Sequence, residues 1–64
     1  MDEDKEFFVG DFVMIRNNLD FNGDVGIVVD RHSDGDYIDN LSYKVFVKNQ
    51  VHWFYYYEVQ DAEV

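Results

Sequence analysis

The sequence predicts an all-β fold in which five short strands form a small barrel. Runs of β-branched and aromatic residues alternate with polar ones and are bounded by Gly, Asn, Asp and Ser, which is the signal for strands. No segment keeps a 3.6-residue period over several turns, so no long helix is expected. A chain of 64 residues is one domain, and closing the sheet would remove its exposed edges.

The predicted strands follow one another through connections of unequal length. A medium polar loop spans residues 17–24, the longest connection spans residues 31–41, and Asn49-Gln50 is expected to form a tight hairpin turn. A single 3-10 turn near residues 55–57 fits the short spacing before the last strand. The five strands are expected at residues 12–16, 25–30, 42–48, 51–55 and 57–59.

Glycines mark the points where the chain must bend. Gly10 and Gly23 lie at turns, where a positive φ is favoured. Gly26 lies within the second predicted strand, where a glycine usually indicates a bulge or the close approach of another backbone. A very small barrel needs such a point to curl.

Composition restricts the classes of protein that the chain can represent. It holds no cysteine, which excludes disulfides and thiolate-bound zinc and is compatible with a reducing compartment. No apolar run approaches the roughly 20 residues of a membrane span, so no membrane partner is expected. Residues 1–6 are predicted to be a flexible acidic tail, unlike the basic start of a signal peptide, which favours a cytoplasmic protein.

The formal net charge is −9, from 14 acidic residues against 5 basic ones. Direct nucleic-acid binding is disfavoured, because it depends on Lys and Arg that neutralise phosphates. A partner protein with a basic surface is favoured, since opposite potentials steer association. The alternative is that the charge only keeps an aromatic-rich protein soluble.

Three segments carry a similarity to a known group of folds. The first reads G-D-x-V-x-I, then a loop, then G-x-x-G-x-V, and the later ones read Y-x-V-x-V and W-F-x-x-x-E-V. They resemble the first two and the last three strands of KOW-type and related SH3-like barrels, which implies a five-stranded SH3-like barrel over residues 7–64. The matching residues are Gly10, Asp11, Val13, Ile15, Gly23, Gly26, Val28, Tyr43, Val45, Val47, Trp53, Phe54, Glu58 and Val59.

The sequence departs from these families where they bind their ligands. KOW barrels that bind nucleic acid carry basic residues near the first loop, whereas this loop carries Asp20 and Asp24. The A-L-Y-D-Y segment of peptide-binding SH3 domains is missing. The resemblance therefore implies a fold and no particular ligand, because SH3-like barrels host many unrelated activities.

The aromatic run at residues 53–57 contains the strongest candidate binding site. If the turn centres on Asn49-Gln50, Phe46 pairs with Trp53, and cross-strand partners share a face. Phe46, Trp53 and Tyr55 then point outward beside Lys44 and Lys48, and an outward patch of large rings is typical of an interaction surface. The opposite face would form the core with Val13, Ile15, Val28, Val45, Val47 and Phe54.

Two alternatives remain open for these rings. The tail, the long loop or an oligomer partner would hide them from solvent if packed over them. A one-residue bulge would turn them inward. The long loop is a second candidate site, because Asp34, Asp36 and Asp39 offer carboxylates to a basic partner or imitate the spacing of phosphates; the alternative is an ordinary solvated loop.

The sequence predicts no metal site, no cofactor and no active site. Residues 18–23 and 30–35 are similar to the start of a calcium loop, but Val29 and Leu41 stand where such a loop needs a bidentate Glu. His32 and His52 are far apart in sequence. There is no G-x-S-x-G motif, Ser-His-Asp order or Gly-rich phosphate loop, and an enclosed pocket of ~300 Å³ or more is large for so small a domain.

Two functional hypotheses follow. The first is a non-enzymatic protein-binding module that uses Phe46, Trp53 and Tyr55, or the acidic long loop. The second is an acidic mimic of nucleic acid, of the kind that phage counter-defence proteins use, which occupies the nucleic-acid site of another protein. A structural part of a larger complex and a homo-oligomer are weaker alternatives.

Overall fold

The computed structural model describes residues 6–33, 35 and 41–62, which form one sheet of five antiparallel strands. The sheet order is β4-β3-β2-β1-β5, and a 3-10 turn (Tyr56–Glu58) precedes the last strand. The predicted all-β fold is thus confirmed, together with the 3-10 turn before the last strand. The strands are β1 (Phe12–Ile15), β2 (Val25–Ser33), β3 (Leu41–Val47), β4 (Gln50–Tyr55) and β5 (Val59–Asp61).

The sheet is not closed into a barrel, which corrects the prediction that it has no edges. Among the described strands, β4 pairs only with β3 and β5 pairs only with β1. β2 also runs three residues beyond the predicted end, because the residues from Arg31 to Ser33 pair with those from Tyr43 to Leu41. Tyr57 belongs to the 3-10 turn and not to the last strand.

The core is built from alternate residues of the strands, as the sequence pattern predicts. In β3 every second side chain from Leu41 to Val47 is buried. The six predicted core residues are all buried, and they are joined by Phe7, Phe21, Leu41, Tyr43 and Val59. No helix in the described part of the chain is long and apolar enough to cross a membrane.

A bulge in β2 lies three residues after the glycine that was expected to mark one. Val28 faces Val45 while Asp30 faces Lys44, so Val29 is the additional residue. At Gly26 the alternative prediction, a close backbone approach, is confirmed, because a Cβ built there would lie 2.5 Å from the carbonyl oxygen of Phe46. The bulge reverses the alternation of β2 and leaves that of the β3–β4 hairpin unchanged.

The β3–β4 turn consists of Lys48 and Asn49, not of Asn49 and Gln50. Both turn residues have positive φ, 54° and 63°, as a type I′ turn requires, and Gln50 pairs with Val47. Such a turn matches the twist of the strands that it joins. The Lys48 side chain is held by the carbonyl oxygen of Asp20, at 2.9 Å from its Nζ.

The chain before β1 is anchored in the core. The backbone nitrogen of buried Phe7 donates a hydrogen bond to the hydroxyl of Tyr43, and the two rings meet edge to face at 5.8 Å. Arg31 Nη1 donates to the carbonyl oxygen of Phe7, and Arg31 also forms an ion pair with Glu6. Burial raises the pKa of Tyr43, and the hydrogen bond from Phe7 opposes this effect.

Candidate functional site

The aromatic patch, defined as Phe46, Trp53 and Tyr55, lies on the outer face of the β3–β4 hairpin. The exposed fractions of the three residues are 44%, 46% and 60%. The predicted pairing is wrong by two residues, because Phe46 faces Val51 and Trp53 faces Lys44. A shift of two residues keeps every side chain on its face, so the predicted outward orientation agrees with the structure.

The 3-10 turn adds a fourth ring to this surface. Tyr57 stacks on Tyr55 with ring centroids 5.6 Å apart and planes inclined by 9°. The sequence analysis placed Tyr57 where the 3-10 turn meets the last strand and did not include it in the aromatic patch. In an extended strand a neighbour two residues away is about 6.6–6.8 Å along the chain, whereas a 3-10 turn shortens this distance and allows the rings to stack.

The 3-10 turn is fixed by the carboxylate of Glu58. Its Oε1 accepts a hydrogen bond from the backbone nitrogen of Tyr55 at 2.9 Å, and its Oε2 accepts one from Asn18 Nδ2 at 3.1 Å. Arg16 Nε donates to the carbonyl oxygen of Tyr57 at 3.1 Å. These contacts tie the turn to the first loop, so the direction of the two stacked rings is set by side chains distant in sequence.

An apolar row crosses four strands beside the aromatic patch. Val51 of β4 faces Phe46 of β3, which faces Ile27 of β2, which faces Phe12 of β1. A groove of about 350 Å³ lies along this row between Phe12 and the Lys48-Asn49 turn. Neither Phe12 nor Val51 was singled out from the sequence, although both have the outward parity of their strands.

A second groove, of about 340 Å³, lies at the other end of the hairpin. It is lined by Trp53, Phe54 and Tyr55 of β4 and by the cross-strand pair of Ser42 and His32. The aromatic patch therefore borders two concave regions, with Phe46 at one and Trp53 and Tyr55 at the other. Both are open grooves on the surface.

The two lysines expected beside the patch separate in the structure. Lys44 lies on the outer face opposite Trp53. Lys48 turns away, because its Nζ pairs with Asp24 at 3.2 Å and lies 5.5 Å from the ring centre of Phe21. Lys48 lines the groove that Phe46 borders, while its ammonium group is paired with Asp24.

The acidic loop cannot be placed beside the patch, since Asp34, Asp36 and Asp39 lie outside the described residues. The first calcium-like segment is described, and its side chains form turns. Asn18 Oδ1 accepts from the backbone nitrogens of Asp20 and Phe21, and Asn22 Oδ1 accepts from that of Asn17. No group of three His, Asp or Glu among the described residues could hold a metal ion.

Fold and surface together define a small all-β protein with an aromatic outer face. Comparisons with protein-family models, with curated proteins and with solved structures gave no match. The similarity to KOW-type barrels stays a prediction from the sequence.

Proposed function

We propose that the chain is a non-enzymatic protein-binding module whose aromatic patch engages a partner protein with a basic surface. The observation that carries this proposal is that three large rings are about half exposed on one face, although the core is filled by other residues. Clusters of exposed rings of this kind are typical of interaction surfaces.

The size of the apolar contribution favours the rings as the source of affinity. An aromatic side chain buries roughly 150–250 Å², so covering the exposed half of Trp53 at about 25 cal/mol per Å² contributes about 2–3 kcal/mol. An exposed ion pair contributes about 0–1 kcal/mol. The net charge of −9 then mainly selects partners of positive charge and raises the rate of association with them.

The proposal is tested by capture from a lysate of the native host with the wild type, Trp53→Ala and Leu19→Ala as baits. Leu19 is fully exposed in the first loop, so Leu19→Ala is a matched apolar truncation away from the patch. A partner should be captured by the wild type and Leu19→Ala and lost with Trp53→Ala, while circular dichroism shows all three folded. Equal capture by all three baits would contradict the proposal, and so would unfolding of Trp53→Ala.

The second candidate is the acidic mimic of nucleic acid, which is favoured by the excess of 14 acids over 5 bases. Two of the described bases are already neutralised, because Arg31 pairs with Glu6 and Lys48 pairs with Asp24. This function predicts an interaction that weakens steeply with salt and is displaced by DNA or RNA. An interaction that is insensitive to salt would exclude it.

A further inference from the structure

In the described part of the chain β4 is an edge strand, and its own sequence has none of the usual features that block pairing to another chain. It pairs with β3 on one side only, over six residues in unbroken register, and so spans about 20 Å. Edge strands are commonly protected by Pro, Lys or a bulge. β4 contains none of these, since its sequence is Q-V-H-W-F-Y.

The turn geometry determines which backbone groups of β4 face the open edge. In a hairpin with a two-residue turn, the pair that closes the turn is hydrogen-bonded, and here that pair is Val47 and Gln50. Alternation then directs the backbone of His52 and Phe54 toward β3 and that of Val51, Trp53 and Tyr55 outward.

An independent contact agrees with this assignment. The backbone nitrogen of Tyr55 donates to Glu58 Oε1 and not to β3. Within the described part of the chain, no hydrogen bond is made to the backbone of Val51 or Trp53 from the open side. Among the described residues, the open edge therefore presents the N–H and C=O groups of Val51 and Trp53, whose side chains also lie on the outer face.

We propose that an extended basic segment of the partner protein binds as a sixth strand along β4, pairing with the backbone of Val51 and Trp53. This inference rests on the proposed function and specifies how the partner is held. Main-chain hydrogen bonds supply affinity in this mode of recognition, and alternate side chains supply specificity. Every second side chain of the added strand lies next to Trp53 and Tyr55.

Charge selects a basic segment over a second copy of this chain. Two copies placed edge to edge would each bring a net charge of −9. The Debye length is about 8 Å at physiological ionic strength, so the acids repel a second copy and attract a basic segment mainly when it comes within this distance of the surface. Lys44 already lies across from Trp53 on the β3 side. A Lys or Arg of the added strand would therefore approach the Trp53 ring from the open edge.

Amide hydrogen exchange of the labelled full chain tests the proposal by comparing outward and inward amides of the same strand, β4. The probe is a short synthetic peptide in which Lys and Val alternate, and the control is the corresponding peptide of Glu and Val. The Lys peptide should slow exchange at Val51 and Trp53 about tenfold or more. The amides of His52 and Phe54, which already bond to β3, should change little and serve as internal references.

Three results would overturn the inference. One is unchanged exchange at Val51 and Trp53 with the Lys peptide, and another is equal protection by the Glu peptide. The third is protection in the free chain that grows with protein concentration, which would assign the edge to a second copy.

A pair of variants separates strand addition from the proposed function. Val51→Pro removes the outward N–H of residue 51 without removing a hydrogen bond to β3. Val51→Ala keeps this N–H. Strand addition predicts that Val51→Pro no longer binds the Lys peptide and that Val51→Ala still binds it. A partner that needs Trp53 but leaves the Val51 and Trp53 amides exchanging freely would refute strand addition and leave the proposed function standing.

Discussion

The backbone nitrogen of Phe7 and the hydroxyl of Tyr43 lie 3.1 Å apart, joining residues 36 positions apart in sequence. Tyr43 is almost fully buried, so its hydroxyl has this amide as a partner in the core. The contact attaches the chain before β1 to the centre of β3. It makes the first described residues part of the folded domain and gives rise to two predictions.

Tyr43→Phe should lower the free energy of unfolding by about 1–3 kcal/mol, because the buried amide of Phe7 loses its acceptor. Urea denaturation measures this loss. Tyr57→Phe is the matched control, since it removes a hydroxyl at an exposed position and should change stability by less than about 0.5 kcal/mol. Equal effects of the two variants would contradict the importance of the Phe7–Tyr43 bond.

Stability should fall at alkaline pH through the same side chain. Burial raises the pKa of Tyr43 above its ordinary value of 10.0, so the unfolded chain loses this proton more readily than the folded one. The stabilisation is complete below the ordinary pKa and is lost as the pH rises through the raised one. Urea denaturation at increasing pH should show a decline in the wild type that is smaller in Tyr43→Phe; parallel declines would contradict this origin.

Glu58→Ala should destabilise the domain by about 1–2 kcal/mol, because the carboxylate accepts bonds from both Tyr55 and Asn18. Glu58→Gln keeps one acceptor oxygen and should lose less. For a domain of this size 1 kcal/mol shifts the melting temperature by about 4–8 °C, so thermal unfolding resolves the two variants. A larger loss in Glu58→Gln than in Glu58→Ala would contradict the two-contact role.

Gly26→Ala should destabilise by about 1–3 kcal/mol, since the added Cβ would lie 2.5 Å from the carbonyl oxygen of Phe46 and 2.6 Å from Val45 Cγ1. The neighbouring Val25→Ala truncates an exposed side chain and should have little effect. Chemical denaturation of both variants makes the comparison. A Gly26→Ala protein as stable as the wild type would mean that β2 and β3 lie further apart.

The strand pattern could be predicted because alternation in β3 and β4 is regular and survives an error of two residues in register. The turn position could not, because Lys48 is not a residue that a type I′ turn usually selects, and contacts to Asp20 and Asp24 hold its side chain. The bulge at Val29 and the stacking of Tyr57 on Tyr55 depend on packing between distant segments. Predicting the apolar row through Phe12 and Val51 requires the register of four paired strands, and the local sequence does not provide this register.

Trp53 is the single tryptophan of the chain, so its ring can be observed alone. The most direct measurement is fluorine NMR of the 5-fluorotryptophan-labelled protein with an unlabelled captured partner, comparing the resonance in H₂O and D₂O. The free protein should show a solvent isotope shift, because Trp53 is 46% exposed, and the shift should disappear when the partner saturates the site. An isotope shift that persists undiminished in the complex would contradict binding through the aromatic patch.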